Sequence, residues 1–443
     1  MSKHAGRGYI PLPFDSNRLR AIDMTTKTLG AAPLARCISI LALLAAGCAA
    51  PPPGEAPPPA REPAPPPPPA AAAPAAPPPL VAAPFADAVA RAGERLIQDA
   101  QATLGNGPRD LVIDPLIDAS TGQQTNGTVQ MGVQLAGLIT RRVPTWNVQP
   151  LTRGALATRP LLLIGTLTAI NTKNASENAD AFRVCLVLID LRTGKLVAKR
   201  VDRATPTTVD AEPLALYRES PTWALDSTAL AYIKSCQGSS PGDPVAPGYL
   251  QRLPAQAVIN EAMIAYTDNK PADAYRLYRE AHTLAGPDDL RVLNGLYTTS
   301  WKTGRKKEAA ETFGKIVGLG LDAKKLPIKL FFNPGTTTLL QTADLQAQYA
   351  VWLHEVATQM GTREGCLRVV GHTSRTGDAT ANEVLSQKRA AAIKASLERQ
   401  NKKLAPKITT DGVGSREVIV GLGTDDLRDA LDRRVEFRSV DCR

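Results

Sequence analysis

The chain is poor in the residues that catalytic and metal sites require. Its four histidines are spread over 443 residues and fall in different segments. It contains neither a nucleophile elbow nor a Cys/His spacing suited to a metal, so the sequence predicts no enzyme, no metal site and no cofactor. It also lacks a dense Lys/Arg block with interleaved aromatics, which argues against nucleic acid as a partner. The net charge of +10 instead suits an anionic surface such as cell wall or phospholipid.

Long apolar runs are also missing. One short run starts near Ile38 and ends before Cys48, and Lys27 and Arg36 precede it. Such a run is too short to span a bilayer, and a basic start followed by a short apolar stretch predicts a secretory signal. Residues 24–47 alone make a signal of normal length, so Met24 is the better start.

The end of this signal resembles a bacterial lipobox. It reads Leu44-Ala45-Ala46-Gly47-Cys48, with the usual leucine one place early. The resemblance implies that Cys48 is acylated and becomes the mature N-terminus; the alternative is an ordinary cleaved signal. Ala49 follows instead of aspartate, which by the same resemblance implies the outer membrane. Several acyl chains would make a stable anchor.

Four cysteines remain after Cys48, and they allow three disulfide pairings. An oxidising periplasm permits disulfides, and buried free thiols are the alternative. The pairing that stays within the proposed domains joins Cys185 with Cys236 and Cys366 with Cys442.

A Pro/Ala-rich linker occupies residues 49–84. It has 17 prolines between Pro51 and Pro84 and cannot bury a core. Extended polyproline of this length reaches roughly 110 Å, which is the reach of a tether.

Residues 85–240 are predicted to form an α/β domain. Phe85, Val89 and Leu96 share one helix face. Thr193-Gly194-Lys195 is a hairpin turn between two strands and not a phosphate loop, because the upstream glycine is missing. The order of helix, strand, helix and several strands resembles the periplasmic domain of lipoprotein activators of penicillin-binding proteins and of curli-secretion lipoproteins. The predicted strands are Leu111–Ile117, Trp146–Leu151, Leu161–Leu167, Phe182–Asp190 and Leu196–Val201.

Residues 254–318 are predicted to form two helical hairpins. Aromatic and small residues recur with a period near 34, as in Tyr266 and Trp301, and resemble tetratricopeptide repeats. Two units rarely stand alone, since each needs a neighbour to cover its apolar face. The segment is therefore either a helical spacer packed on an adjacent domain or a concave docking surface for a protein.

Residues 328–443 carry the most informative pattern. It reads Gly371-His372-Thr373-Ser374-Arg375-Thr376-Gly377, then Asn382 to Ala390 with Arg389, then Arg433-Arg434-Val435-Glu436. This pattern resembles the OmpA-like peptidoglycan-binding domain. Together with the apolar periodicity it predicts a βαβαββ order and an α/β sandwich with helices on one face. The whole chain is thus a multidomain α/β plus α protein.

The resemblance implies recognition of a peptidoglycan stem peptide, whose diaminopimelate residue carries a carboxylate and an ammonium. A guanidinium holds a carboxylate through paired donors, so Arg389 takes the ligand carboxylate. The helix spacing puts Asn382, Leu385 and Arg389 on one face. The implied binding residues are Thr373, Ser374, Asn382, Leu385, Arg389 and Arg433.

One position departs from the family. Ser374 stands where the family usually has an aspartate that grips the ammonium. Losing a charged partner costs about 1.5–3 kcal/mol, unless Asp378 compensates. Plain structural roles remain open for the others: a solvated helix residue for Arg389, an ion pair for Arg433, and loop-holding or packing for Asn382 and His372.

Two functions follow from the sequence. In the first, an outer-membrane lipoprotein faces the periplasm and tethers the envelope by binding peptidoglycan non-covalently. In the second, residues 85–318 contact a cell-wall synthase or a secretion-complex partner, and residues 328–443 only localise the protein.

Overall fold

Two β-sheets, joined by helices, make up the part of the chain that the computed structural model describes. That part is residues 80–442 without 174–176, 325, 341–342, 425 and 427–428, and it falls in one compact unit. The signal, Cys48 and the linker before residue 80 lie outside the described residues. Within them, no helix combines the length and the apolar character that crossing a membrane requires.

The first sheet belongs to the α/β part of the chain. Its strands run in the order β3-β1-β4-β5-β6, with β2 beside β4. Helices α1 and α2 cover one face and α4 covers the other, so the sheet has an apolar core on each side. The elements are α1 (Phe85–Leu104), β1 (Arg109–Ile113), β2 (Ile117–Asp118), α2 (Asn126–Arg142), β3 (Trp146–Pro150), β4 (Leu161–Ile170), β5 (Ala181–Asp190), β6 (Lys195–Ala204), α3 (Ala215–Glu219) and α4 (Ser227–Gln237).

The single strand predicted over residues 111–117 was wrong, because the chain breaks between β1 and β2. Pro115 has no N–H to donate to a ladder. Asp114 is buried, and its carboxylate accepts a hydrogen bond from the Tyr249 hydroxyl. Because of this break, β1 pairs with the first residues of β4, and β2 pairs with β4 further along the same strand.

The hairpin predicted at residues 193–195 is confirmed. Strands β5 and β6 pair in antiparallel fashion on either side of it. Gly194 has a φ of 68°, which a glycine adopts without strain.

Four helices follow and form two antiparallel hairpins: α5 (Pro247–Thr267), α6 (Pro271–Ala285), α7 (Leu290–Lys302) and α8 (Lys306–Asp322). The first helix starts seven residues before the predicted residue 254, so Pro254 lies inside it. Every residue of α7 from Arg291 to Trp301 is buried. Helix α7 therefore cannot line an open docking groove, and the packed-spacer interpretation fits this geometry.

The C-terminal part has the predicted βαβαββ order. Its sheet runs β7-β10-β8-β9, with β8 and β9 parallel and β10 antiparallel to both β7 and β8. The elements are β7 (Leu326–Phe331), α9 (Ala343–Thr362), β8 (Cys366–Gly371), α10 (Ala379–Gln400), β9 (Ile408–Gly412) and β10 (Arg434–Val440). The mixed α/β fold class is confirmed.

The helical hairpins share a core with the C-terminal sheet. Trp352 on α9 donates its Nε1 hydrogen to the Tyr297 hydroxyl on α7 at 2.6 Å. The ring centroids of Trp352 and Phe313 lie 5.8 Å apart. Since both belong to one apolar cluster with residues of β7, β8 and β10, α7 and α8 support the C-terminal sheet directly.

The part of the chain that the structure describes contains two disulfides. One joins Cys185 on β5 to Cys236 on α4, with a Cα–Cα distance of 6.0 Å. The other joins Cys366 at the start of β8 to Cys442 just beyond β10, with a Cα–Cα distance of 5.0 Å. The first bond therefore ties β5 to the helix that covers it, and the second ties β8 to the end of its neighbouring strand β10.

Candidate functional site

The candidate site is built where α10 lies directly on the end of β8. A Cβ at Gly371 would come 1.9 Å from the carbonyl oxygen of Ser386, so only glycine lets the strand and the helix approach this closely. The same close approach brings the loop after β8, residues 372–377, against the first turns of α10. Thr373 donates its backbone N–H to Gly414 O at 2.9 Å, which ties this loop to the chain after β9.

Arg389 lies at the centre of the site and is completely buried. Its Nε donates to Thr336 O at 2.9 Å and its Nη1 to His372 O at 3.0 Å. Its Nη2 donates to Asn333 O at 3.2 Å, and the guanidinium lies 5.0 Å from the centroid of the Phe332 ring. A buried guanidinium needs such partners, because leaving it unbonded would be very costly. Arg389 is therefore not a solvated helix residue; it holds the turn after β7 in place.

Arg433 holds the same turn from the other side. Its Nε donates to Phe332 O at 3.4 Å, and its Nη2 donates to Asp426 O at 3.1 Å. Phe332 returns a backbone hydrogen bond to Arg433 O at 3.1 Å. Arg389 and Arg433 thus donate to two consecutive carbonyl groups, those of Asn333 and Phe332.

Thr373 and Ser374 are also brought to this place, and both are buried. The Thr373 Oγ1 finds no hydrogen-bond partner in the described part of the chain. Thr373 directly follows His372, whose carbonyl accepts a hydrogen bond from Arg389. Thr373 and Ser374 therefore lie inside the protein and not at its surface.

Asn382 and Asp378 order the loop from the start of α10. The Asp378 carboxylate caps the helix by accepting from the Ala381 N–H at 2.9 Å. The Asn382 Nδ2 donates to Thr376 O at 3.0 Å, so Asn382 holds the loop. Leu385 is half-buried on the same helix. Because Asp378 serves as the N-cap, its carboxylate does not replace the charge that Ser374 lacks in this conformation.

His372 is buried beneath the loop. Burial, aided by the neighbouring guanidinium of Arg434, lowers the pKa of His372 to about 3. The ring is therefore neutral at physiological pH and packs as an uncharged group, as predicted.

Two functional features were not predicted from the sequence. The first is the turn after β7, whose backbone oxygens at Asn333 and Thr336 hold Arg389; backbone acceptors leave no signal in residue types. The second is Asp432, whose carboxylate accepts from the N–H groups of Ile419 at 2.6 Å, Val420 at 3.0 Å and Gly421 at 2.8 Å. The sequence offered one signal for this second feature, namely the repeated aspartates that precede Arg433.

The chemistry of the site follows from this geometry. Two guanidinium groups meet at one end of the sheet, which is suited to an anionic group such as a carboxylate. In the present conformation Arg389 has no exposed surface, because the turn at residues 333–336 and the carbonyl of His372 enclose its guanidinium. Among the described residues, no group of three His, Cys, Asp or Glu side chains could hold a metal ion.

Part of the chain is similar to known proteins. Among solved structures, the periplasmic domain of Helicobacter pylori MotB is 16% identical, with a TM-score of 0.21, covering 26% of this chain and 72% of that one. The cell wall anchor of the T6SS from Pseudomonas aeruginosa is 20% identical, with a TM-score of 0.22, covering 30% of this chain and 97% of that one. No curated protein shows a significant match to the chain. The model of the OmpA family matches residues 331–430, and the chain therefore contains an OmpA-like domain there.

Proposed function

We propose that this protein binds peptidoglycan non-covalently through its C-terminal domain and tethers the cell envelope to the wall. The observation that carries the proposal is the convergence of Arg389 and Arg433 beneath the loop of residues 372–377, inside the segment that matches the OmpA family. In domains of this family the corresponding arginine on the helix takes the carboxylate of the stem peptide.

The ligand chemistry assigns one role to each group. A diaminopimelate carboxylate accepts from the guanidinium of Arg389, which offers paired donors in a planar fork. Thr373 and Asn382 order the loop around the ligand, and Arg433 closes the pocket. The ammonium meets the hydroxyl of Ser374 instead of a carboxylate, so binding is weaker than in a domain with aspartate there, by about 1.5–3 kcal/mol.

The anchoring part of the proposal rests on the sequence before residue 80. An acylated Cys48 would hold the protein in the outer membrane, and the Pro/Ala-rich linker would carry the folded body towards the wall. The protein would then face the periplasm, where the two disulfides are chemically stable.

Co-sedimentation with purified sacculi tests the proposal. The full chain is compared with Arg389→Ala, Ser374→Asp and a matched control, Arg399→Ala. Arg399 is an exposed arginine on the same helix, and its Nη2 donates to the Ser396 hydroxyl at 2.8 Å. We expect pelleting by the wild type and by Arg399→Ala, loss of pelleting in Arg389→Ala, and stronger pelleting in Ser374→Asp.

Thermal unfolding of each variant accompanies the binding assay, because Arg389 also holds the turn after β7. If Arg389→Ala is unstable, the comparison of Ser374→Asp with the wild type still tests the proposal. Equal binding by the wild type and both pocket variants would show that sacculi are held elsewhere on the protein. Absence of pelleting by all four proteins would refute the proposed function.

A further inference from the structure

The outer edge of β7 is covered by residues 217–223, a segment of the α/β part of the chain that begins in the last turn of α3 and continues past its end. Thr222 forms an antiparallel bridge with Ile328, and Lys329 donates its backbone N–H to Pro221 O at 2.9 Å. An edge strand normally leaves such groups to water or to another chain. Here Pro221 and Thr222 meet the strand through this single bridge and hydrogen bond, so the segment covers the edge of β7 at Ile328 and Lys329.

Lys329 anchors this contact from the other side. It is 1% exposed, and its Nζ donates to Tyr217 O and, at 3.0 Å, to the Ser220 hydroxyl. The ammonium also lies 5.0 Å from the centroid of the Trp223 ring. Burial lowers the pKa of Lys329 well below its usual range. Because Lys329 is removed from water, it relies on these oxygens for its hydrogen bonds, and its amine would return to water when the contact opens.

Trp223 carries the apolar part of the contact. Its ring lies 6.2 Å from the ring of Phe331, and both pack with Leu431 in a small cluster. Leu340 packs against the same cluster and donates its N–H to Phe331 O at 2.8 Å. Phe331 and Leu340 flank the turn that contains Asn333 and Thr336, so Trp223 fixes both ends of that turn.

That turn is the element that buries the central arginine of the pocket. The oxygens of Asn333 and Thr336 accept from Arg389, which is 53 residues away from Thr336 in the sequence. A continuous set of contacts therefore runs from the 217–223 segment through β7 and its turn to the guanidinium. The same contacts that hold the turn in place also leave Arg389 with no exposed surface.

We propose that the 217–223 segment is an autoinhibitory contact, which holds the pocket of the OmpA-like domain closed until the segment leaves β7. The inference rests on the proposed function, since it concerns access of a peptidoglycan carboxylate to Arg389. When the segment leaves, the turn at residues 333–336 is free to move and the guanidinium becomes available. If the closed form makes up about 90% of the molecules, its loss lowers the apparent Kd about tenfold, because affinity scales with the competent fraction.

Two variants with opposite expected effects test the proposal in sacculus co-sedimentation with the full chain. Trp223→Ala removes the apolar contact and is expected to bind sacculi about tenfold more tightly than the wild type. Trp223→Ala combined with Arg389→Ala is expected to lose this gain, which shows that the gain arises in the pocket.

The second variant, Thr222→Cys with Ile328→Cys, locks the contact. Residues that face each other in an antiparallel bridge lie about 4.5–5.5 Å apart at Cα, which a disulfide can span. The oxidised double variant is expected to bind more weakly than the wild type and than either single cysteine variant. This arm does not depend on the stability of Trp223→Ala.

The outcomes separate the two proposals. If the wild type binds and neither Trp223→Ala nor the crosslink changes its affinity, the autoinhibitory contact is overturned while peptidoglycan binding stands. If Trp223→Ala binds more weakly than the wild type and the crosslink binds normally, the contact supports the pocket instead of closing it. If none of the proteins binds, the proposed function itself fails, and this inference with it.

Discussion

A buried carboxyl in the α/β part should make the stability of the protein depend on pH. Asp114 lies in the break between β1 and β2, is 1% exposed, and accepts from the Tyr249 hydroxyl. Burial raises the pKa of Asp114 from 3.8 to about 6, although the Tyr249 hydroxyl and the Arg291 guanidinium act in the opposite direction. The difference between these two values corresponds to about 3 kcal/mol.

The sign of the effect follows from proton linkage. The pKa of Asp114 is higher in the folded than in the unfolded chain, so the folded chain binds this proton more tightly. The contribution is fully present below about pH 4 and is lost as the pH rises through about 6. Between pH 4 and pH 7, Asp114 should lower the free energy of unfolding by about 2 kcal/mol.

The variant Asp114→Asn isolates this contribution, because asparagine still accepts from Tyr249 but does not ionise. Urea unfolding followed by circular dichroism at pH 4 and pH 7 gives the stability difference between variant and wild type. We expect that difference to shift in favour of the variant by about 2 kcal/mol from pH 4 to pH 7. The exposed Asp288→Asn is the matched control and should show little shift. A difference that is the same at both pH values would refute the reasoning.

Two further predictions concern the C-terminal core and its covalent link. Tyr297→Phe removes the hydroxyl that accepts from Trp352 Nε1 at 2.6 Å and donates to Gln348 Oε1 at 3.0 Å, and should cost about 1–3 kcal/mol in urea unfolding. An unchanged midpoint would mean that these hydrogen bonds between α7 and α9 do not stabilise the protein. Replacing Cys366 and Cys442 together by serine opens a link between residues 76 apart, and should cost about 2–5 kcal/mol in thermal unfolding. Equal melting of that variant and the wild type would contradict the expected role of this bond.

The C-terminal fold could be predicted because its signals are local. The apolar run of β8 and the spacing of α10 each follow from neighbouring residues, and the structure has both elements, at Cys366–Gly371 and Ala379–Gln400. The α/β part was harder, since the run at residues 111–117 looks like one strand. Pro115 and the buried carboxyl of Asp114 divide this run into two strands. The burial of Asp114 depends on its hydrogen bond with Tyr249, which is 135 residues away in the sequence.

The candidate site could be predicted only in part, for the same reason. Residue types indicated Arg389 and Arg433, and the structure brings both to one turn. Their acceptors are backbone oxygens, which any residue supplies, so the sequence carried no sign that the turn would enclose Arg389. The contact made by Trp223 and Lys329 was equally hidden, because it joins segments about a hundred residues apart and neither belongs to a recognisable pattern.

The groups that contact a ligand and the access of a ligand to Arg389 therefore depend on different parts of this protein. The loop of residues 372–377 and helix α10 bring the polar groups of the site together through local structure. A change such as Ser374→Asp therefore alters the intrinsic affinity of these groups for a ligand. Access to Arg389 depends instead on β7, whose position is set by distant contacts with the α/β part. A measured affinity combines the two terms, because the apparent Kd is the intrinsic Kd divided by the open fraction. Weak binding by the wild type would thus have two separable causes: Ser374→Asp changes the first, and Trp223→Ala changes the second.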